Sequence, residues 1–237
     1  DGGARLFVTT GLLGGSQILE VNASSRRWRR FATLPRSSES HCAEWHAGLL
    51  YVAGGSCRRE PAINSFHVFN EATGLWEDLP SMPHACMMAA SGVIGNELFV
   101  AGGYGVDNLA LSTLQIYDIS ARTWRLGAPL PHALYGGPGI VLDGKLYLVP
   151  RPGTMRSMFV YDVQSNTWSE QEQYGDPPYE PGHNVMHAFA HKGRIVAARD
   201  SGWAYHRASG TGSDWSRFDL DVEPGIINGV AGSVILG

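Results

Sequence analysis

The sequence predicts an all-β chain assembled from repeated four-stranded units. Three observations support this prediction: tryptophans recur at nearly constant spacing, apolar triplets recur between them, and turn residues are spread along the whole chain. The 237 residues include 30 glycines and 13 prolines, with no single stretch that gathers them. Such a spread is typical of many turns between short strands rather than of one disordered linker.

The tryptophans mark the repeat most clearly. Five of them are separated by 48, 48, 44 and 47 residues: Trp28, Trp76, Trp124, Trp168 and Trp215. Seven positions before each of the first four stands an apolar or aromatic residue: Val21, Phe69, Tyr117 and Tyr161. Self-similarity at a period of about 20–50 residues indicates a repeat architecture in which each unit covers the hydrophobic face of its neighbour.

Each unit is predicted to contain four short strands. In the third unit we place them at Met87–Val93, Glu97–Ala101, Ser112–Asp118 and Arg122–Arg125. The Gly-Asn pair at residues 95–96 separates the first two strands, because these residues tolerate the positive φ of a hairpin turn. The first strands of the later units are small and apolar (MMAASGV, GGPGIVL, MHAFAH), as crowding around a central axis requires.

Glycine pairs end the second strand in two units, at residues 54–55 and 102–103. A glycine pair lets the backbone turn sharply and lets a neighbouring aromatic ring approach closely, because no Cβ is in the way. We expect the Tyr and Trp residues of the third and fourth strands to cover the faces between units. Each such ring would bury about 150–250 Å².

The stretch ELFVAGGYGVDNLALSTLQIYDISARTW (97–124) shows the whole pattern: Gly-Gly, then Tyr-Asp, then Trp. Repeated at a period of about 45–50 residues, this pattern resembles the kelch repeat, and it implies a β-propeller of four-stranded blades. The resemblance extends over the whole chain. The alternative is an irregular β-sandwich in which the spacing of the tryptophans is accidental. The predicted units are 1–32, 33–80, 81–128, 129–172, 173–219 and a closing or partial unit 220–237.

The number of blades is left open between five and six. The final segment NGVAGSVILG (228–237) aligns with SGVIGNELFVAGG of the third unit, so the chain is expected to end in a second strand. If it pairs beside the first residues of the chain, a five-bladed ring closes. If it begins a further blade, the chain is part of a longer, six-bladed protein, which we slightly favour.

The resemblance also implies a binding face. In a four-stranded blade, the loop between strands two and three and the loop leading to the next blade emerge together, so their residues should meet around one rim. The predicted partner-binding residues are Arg36, Arg58, Arg59, His84, Tyr104, His132, Tyr135, Arg151, His183 and Arg199. Arg and Tyr are frequent interface anchors. In kelch substrate receptors this rim binds short, often acidic peptide motifs. The alternative is that these are ordinary solvated loop residues.

No catalytic residue, metal ligand or cofactor is predicted. The spacing of His41-Cys42, His46 and Cys57 matches no common zinc pattern, and His84, His132 and His183 should diverge around the ring. Kelch-type enzymes exist, among them copper oxidases, iron-dependent specifier proteins and sialic-acid epimerases. The second hypothesis is therefore an enzyme in which Arg151, Arg199 and His132 hold an anionic substrate over the central channel.

We therefore predict a protein-interaction module. By resemblance to F-box/kelch and BTB/kelch proteins, it would serve as substrate receptor of a cullin-RING ubiquitin ligase through domains outside this segment. A structural propeller within a larger assembly is a third hypothesis. A net charge of −4 without a basic patch predicts no nucleic-acid partner, and no apolar stretch approaches the length of a membrane span. Three cysteines, an odd and sparse number, favour a reducing compartment, the cytoplasm or nucleus.

Overall fold

The computed structural model describes residues 6–10, 17–22, 27–149, 157–171, 185–191, 194–199, 203–208, 216–219 and 234–236. The regular elements in these ranges are twenty β-strands. The same ranges contain no helix of the length and apolarity that a membrane crossing needs.

The strands form five antiparallel sheets of four strands each. Sheet 1 contains β1 (Leu6–Thr10), β2 (Gln17–Asn22), β3 (Arg27–Thr33) and β20 (Val234–Leu236). Sheet 2 contains β4 (Cys42–His46), β5 (Leu49–Ala53), β6 (Phe66–Asn70) and β7 (Leu75–Asp78). Sheet 3 contains β8 (Ala90–Ile94), β9 (Glu97–Ala101), β10 (Leu114–Asp118) and β11 (Thr123–Leu126). Sheet 4 contains β12 (Gly139–Leu142), β13 (Lys145–Leu148), β14 (Met158–Asp162) and β15 (Thr167–Gln171). Sheet 5 contains β16 (Val185–His191), β17 (Arg194–Arg199), β18 (Trp203–Ala208) and β19 (Ser216–Asp219).

The first strands of successive sheets contact one another in the order β20, β4, β8, β12 and β16. Within sheets 2 to 5 the chain then proceeds outward, each strand pairing with the one before it. In sheet 1 the innermost place is taken by β20, which pairs with β1 so that Leu6 lies opposite Leu236. The predicted all-β class of four-stranded units is confirmed, whereas the number of blades stays a prediction.

Each predicted strand of the third unit overlaps a strand of sheet 3, although β10 begins at Leu114 rather than Ser112 and β11 is displaced by one residue. The second strand, β9, has the predicted bounds, but β8 begins at Ala90 rather than at Met87. Met88 has a φ of 53°, which interrupts the extended backbone. Met87 instead forms an isolated bridge with Tyr104, in the loop between β9 and β10.

The hydrophobic core lies between neighbouring sheets, where aromatic rings meet. Between sheets 2 and 3, Phe66 contacts both Tyr117 and Trp124, at ring-centroid distances of 4.7 and 5.0 Å. Phe66 and Tyr117 are each 1% exposed, but Trp124 is only half-buried. The Trp124 indole Nε1 donates a hydrogen bond to the Pro80 carbonyl of the preceding unit, at 2.7 Å. The ring therefore ties one sheet to the next rather than filling the core.

The two glycine pairs have positive φ, as their turn requires. Gly102 and Gly103 have φ values of 66° and 96°. A Cβ on Gly103 would lie 2.6 Å from the Met87 carbonyl oxygen, and one on Gly102 would lie 2.5 Å from the Leu134 carbonyl oxygen. The closest neighbours of Gly102 and Gly103 are thus backbone carbonyls of adjoining loops.

We expect Trp124→Ala to lower the free energy of unfolding by about 2–4 kcal/mol, somewhat less than the loss of a fully buried ring. The change removes contacts to Phe66 and Tyr117 and the hydrogen bond to Pro80. Urea unfolding followed by fluorescence measures it. Leu126→Ala, on the same strand at a side chain 54% exposed, is the control and should cost under about 0.5 kcal/mol. Similar losses for the two variants would show that Trp124 does not join the sheets.

Candidate functional site

Two kinds of loop meet at one face of the sheets. The Gly55 N–H, after β5, donates to the Cys86 carbonyl in the segment that leads from sheet 2 to sheet 3, at 2.8 Å. The Gly103 N–H makes the same contact with Leu134 one sheet further on, at 2.7 Å. We call the face formed by residues 34–41, 54–65, 79–89, 102–113 and 127–138 the rim. Because its loops bond to each other through backbone groups, the rim is a connected surface rather than a set of independent loops.

Three of the predicted partner-binding residues are arginines at one part of the rim. Arg36 is committed to its own protein, because its Nη2 lies 2.6 Å from Glu60 Oε1 and 3.6 Å from Cys57 Sγ. Arg58 and Arg59 are exposed at the tip of a turn closed by hydrogen bonds between Cys57 and Glu60. Neither makes an ion pair with another described residue. Two arginines are therefore available to a partner, and Arg36 supports the turn that presents them.

The Cys57 thiol lies beside this turn. The Arg59 backbone N–H and then the Arg36 guanidinium lower the pKa of Cys57, because both stabilise the thiolate. The other two cysteines, Cys42 and Cys86, are buried. Burial raises the pKa of Cys86 to about 12.

Tyr104 and Tyr135 form an aromatic pair on the next part of the rim. Their ring centroids are 4.0 Å apart, and both side chains are half-buried. Tyr104 follows the glycine pair of sheet 3, whereas Tyr135 lies on the segment leading to sheet 4. The structure therefore brings together two residues that the sequence places on different loops.

His84 and His132, the two predicted partner-binding histidines that the structure describes, are exposed. The backbone of His84 is held by the buried Gln115 side chain, whose Oε1 accepts from His84 N–H at 2.8 Å. His132 packs edge-on against Phe159, with ring centroids 5.9 Å apart. Across the described ranges, no three His, Cys, Asp or Glu side chains are grouped so as to hold a metal ion.

The structure describes the remaining predicted partner-binding residues only in part. Arg151 and His183 lie outside the described residues. Arg199 is the last residue of β17 and pairs through its backbone with Val185; its side chain lies outside the described part. Of the three residues assigned to an anionic substrate, only the side chain of His132 is described, and it faces solvent.

Sequence reasoning missed two apolar residues on the rim. Val106 and Leu109 are 63% and 64% exposed, in the loop between β9 and β10. Two backbone hydrogen bonds close this loop: Gly105 N–H donates to the Leu109 carbonyl and Asn108 N–H to the Gly105 carbonyl. The segment GGYGVDNLAL could have indicated them, since two large apolar residues inside a glycine-flanked turn have no strand to join.

Two titratable groups lie near the innermost strands: Glu44, which is half-buried, and His41, which is buried. Glu44 on β4 accepts a hydrogen bond from Ser91 Oγ on β8 at 2.6 Å, and burial raises its pKa to about 7. His41 Nδ1 lies 3.2 Å from Ser38 Oγ, and burial lowers its pKa to about 4. In both cases the apolar surroundings disfavour the charged form.

These two groups should oppose each other in the pH dependence of stability. Glu44 keeps its proton to about pH 7 when folded but loses it near 4.5 when unfolded, so rising pH favours unfolding. His41 stays neutral to about pH 4 when folded but binds a proton below about 6.5 when unfolded, so falling pH favours unfolding.

We expect single variants to separate the two opposing contributions to the pH dependence of the free energy of unfolding. Relative to wild type, the free energy of unfolding of His41→Gln should fall by about 2–3 kcal/mol as pH rises from 4.5 to 7, because the stabilisation that wild type gains there from His41 is lost. That of Glu44→Gln should fall by a similar amount as pH drops from 6.5 to 4, because the stabilisation from Glu44 is lost. Urea titrations at half-unit steps measure both. Curves for the two variants that run parallel to the wild-type curve would contradict the assignment.

The fold and the rim define a protein of repeated four-stranded blades whose outer strands carry the linking tryptophan. The kelch motif model matches residues 40–83 and 85–131, which contain sheets 2 and 3. The resemblance is confirmed at this level: residues 40–131 contain two kelch motifs. The narrower likeness to F-box/kelch or BTB/kelch proteins stays a prediction. No curated protein matches the chain.

Proposed function

We propose that the chain is a protein-interaction β-propeller whose partner binds across the rim, on the loops that carry Arg58, Arg59, Val106 and Leu109. Kelch repeats suggest a protein-interaction module. The observation that carries the proposal is a hydrogen-bonded loop that holds two large apolar side chains in solvent.

Exposed apolar groups on an ordered loop favour burial against a partner. A partner that covers Val106 and Leu109 removes their large apolar side chains from water. Burial of apolar surface is the main source of affinity in protein interfaces. The Leu109 N–H is bound to Asp107 Oδ1 at 3.0 Å, and two backbone hydrogen bonds close the turn. Because the loop is already ordered, little conformational entropy is lost when a partner binds.

The charges beside this loop indicate the chemistry of the partner. Arg58 and Arg59 extend from the turn of sheet 2, while Glu60 is neutralised by Arg36. This turn and the apolar loop are both bonded to the 79–89 segment, through Gly55 to Cys86 and through Tyr104 to Met87. A peptide segment that alternates acidic and apolar residues would fit both.

A role as substrate receptor of a cullin-RING ubiquitin ligase, in the cytoplasm or nucleus, is a finer form of the proposal. It rests on the resemblance to F-box/kelch and BTB/kelch proteins. Copurification of a cullin or a cullin adaptor with a longer form of the protein would support this finer proposal, and its absence would contradict it.

We expect a rim variant carrying Arg58→Ala, Arg59→Ala, Val106→Ser and Leu109→Ser to lose at least tenfold of the partner captured by the wild-type chain. Quantitative mass spectrometry of pull-downs from cell extract measures the loss. The control is Leu75→Ser, a leucine 68% exposed at the other end of the sheet. Thermal unfolding checks that both variants are folded.

The outcome separates the functional hypotheses. Partners lost with the rim variant and kept with Leu75→Ser support an interaction module and locate its face. Partners lost only with Leu75→Ser place the interface elsewhere and contradict the proposed rim. Identical protein profiles for all three chains contradict the interaction function and favour an enzyme or a structural role.

A further inference from the structure

We propose that a groove between sheets 2 and 3, on the face opposite the rim, binds an uncharged small molecule. This molecule has an apolar body and an acceptor atom to which the Tyr117 hydroxyl donates a hydrogen bond. We call it the tyrosine groove; it is lined by residues of β5, β6, β7 and β10 and of the turns at 71–74 and 119–122. These turns lie at the opposite strand ends from the rim loops, and the groove lining shares only Leu79 with the rim.

The tyrosine groove has the size and walls of a ligand site. Its volume is about 510 Å³, within the range of small-molecule pockets. The walls are mostly apolar and are formed by Leu49, Val68, Leu75, Trp76, Leu79 and Ile119. Its polar lining includes two tyrosines and the ion pair of Glu77 with Arg122.

The Tyr117 hydroxyl in this groove lacks a hydrogen-bond partner among the described residues. The side chain is only 1% exposed, so bulk water does not replace the missing partner. A buried hydroxyl without a partner costs about 1–3 kcal/mol, and such groups are rare in native structures. Burial also raises the pKa of Tyr117, so the phenol keeps its proton and offers a donor.

The neighbouring interface, between sheets 3 and 4, contains the hydrogen-bond acceptor that Tyr117 lacks. There Tyr161, which corresponds to Tyr117 in the repeat, donates to Asn166 Oδ1 at 2.6 Å. The same oxygen accepts the Ala128 backbone N–H at 2.9 Å. The asparagine side chain thus satisfies the tyrosine and fills the corresponding place.

The sequence explains why sheets 2 and 3 lack this arrangement. Five positions after Tyr117 stands Arg122 in place of asparagine, and four positions after Trp76 stands Pro80 in place of alanine. Proline has no N–H to donate. Arg122 instead pairs with Glu77 through two hydrogen bonds of 2.7 and 2.8 Å. The Tyr117 hydroxyl is therefore still free to donate, and no described residue supplies the acceptor.

The electrostatics of the groove favour an uncharged molecule. The positive charge of Arg122 is compensated by both carboxylate oxygens of Glu77, so the groove presents no unpaired ion. An anion would meet the Glu77 carboxylate, and a cation would meet the Arg122 guanidinium. A carbonyl oxygen on an aromatic or aliphatic body satisfies the Tyr117 donor without either conflict.

The experiment compares two probes of similar shape. Acetophenone carries a carbonyl acceptor, whereas ethylbenzene has none. Each is titrated into ¹⁵N-labelled protein while the indole N–H signals of Trp76 and Trp124 are followed by NMR. We expect acetophenone to bind about 3–10-fold more tightly than ethylbenzene, the effect of one neutral hydrogen bond.

Three variants locate the acceptor contact. Tyr117→Phe should abolish the preference for acetophenone, and because the lost hydroxyl has no partner, this variant should unfold at the same or a higher urea concentration. Tyr161→Phe is the matched control: it should unfold at a lower urea concentration and keep the preference. Arg122→Asn supplies an internal acceptor and should also remove the preference.

Three results would overturn the proposal. The first is equal affinity for the two probes in the wild-type protein. The second is a preference that persists in Tyr117→Phe. The third is the absence of shifts at either indole up to the solubility limit of acetophenone, which would mean that water alone occupies the groove.

Discussion

The contact between neighbouring sheets is the interaction on which the rest of this structure depends. A four-stranded sheet has two faces and too few residues to cover either of them alone. Here Phe66 and Tyr117 meet across one interface, and the Trp124 indole bonds to the Pro80 carbonyl of the preceding unit. Trp168 repeats the bond with Ala128 at 2.8 Å. Each unit is therefore stable only beside the next, which explains why the spacing of these residues recurs along the chain.

The two faces of the molecule follow from the same contact. At one strand end, glycine pairs bring the loop of each sheet against the following segment and so connect the rim. At the other end, short turns close the interface, and their side chains decide whether it is filled. Asn166 fills it between sheets 3 and 4, whereas Arg122 turns away towards Glu77 between sheets 2 and 3. Two differences between the repeats, Arg122 in place of asparagine and Pro80 in place of alanine, accompany the groove between sheets 2 and 3.

The sequence predicted what depends on spacing within one unit. The bounds of β9 and the positive φ of the glycine pair follow from local patterns. Features that depend on contacts between units were missed. β8 begins after Met88 because the backbone of Met88 is hydrogen-bonded to Ser40 and Gly136 of neighbouring loops. Arg36 forms an ion pair with Glu60 on the rim. The unpartnered Tyr117 hydroxyl becomes visible only when two interfaces are compared. For the rim, the sequence analysis identified the loops but overlooked Val106 and Leu109, because it considered only polar and aromatic residues as candidates.

The close approach of neighbouring units at the glycine pair is the central claim, and comparing Gly102→Ala with Gly144→Ala tests it most directly. Both glycines have positive φ, 66° and 71°, so both variants bear the strain of a left-handed alanine. At Gly102 the new Cβ would lie 2.5 Å from the carbonyl oxygen of Leu134, in the segment that leads to sheet 4, whereas Gly144 has no atom within 4 Å. Urea unfolding should show a loss of about 2–4 kcal/mol for Gly102→Ala and about 1 kcal/mol for Gly144→Ala. Equal losses would contradict the account, because they would show that the sheets do not meet closely at the glycine pair.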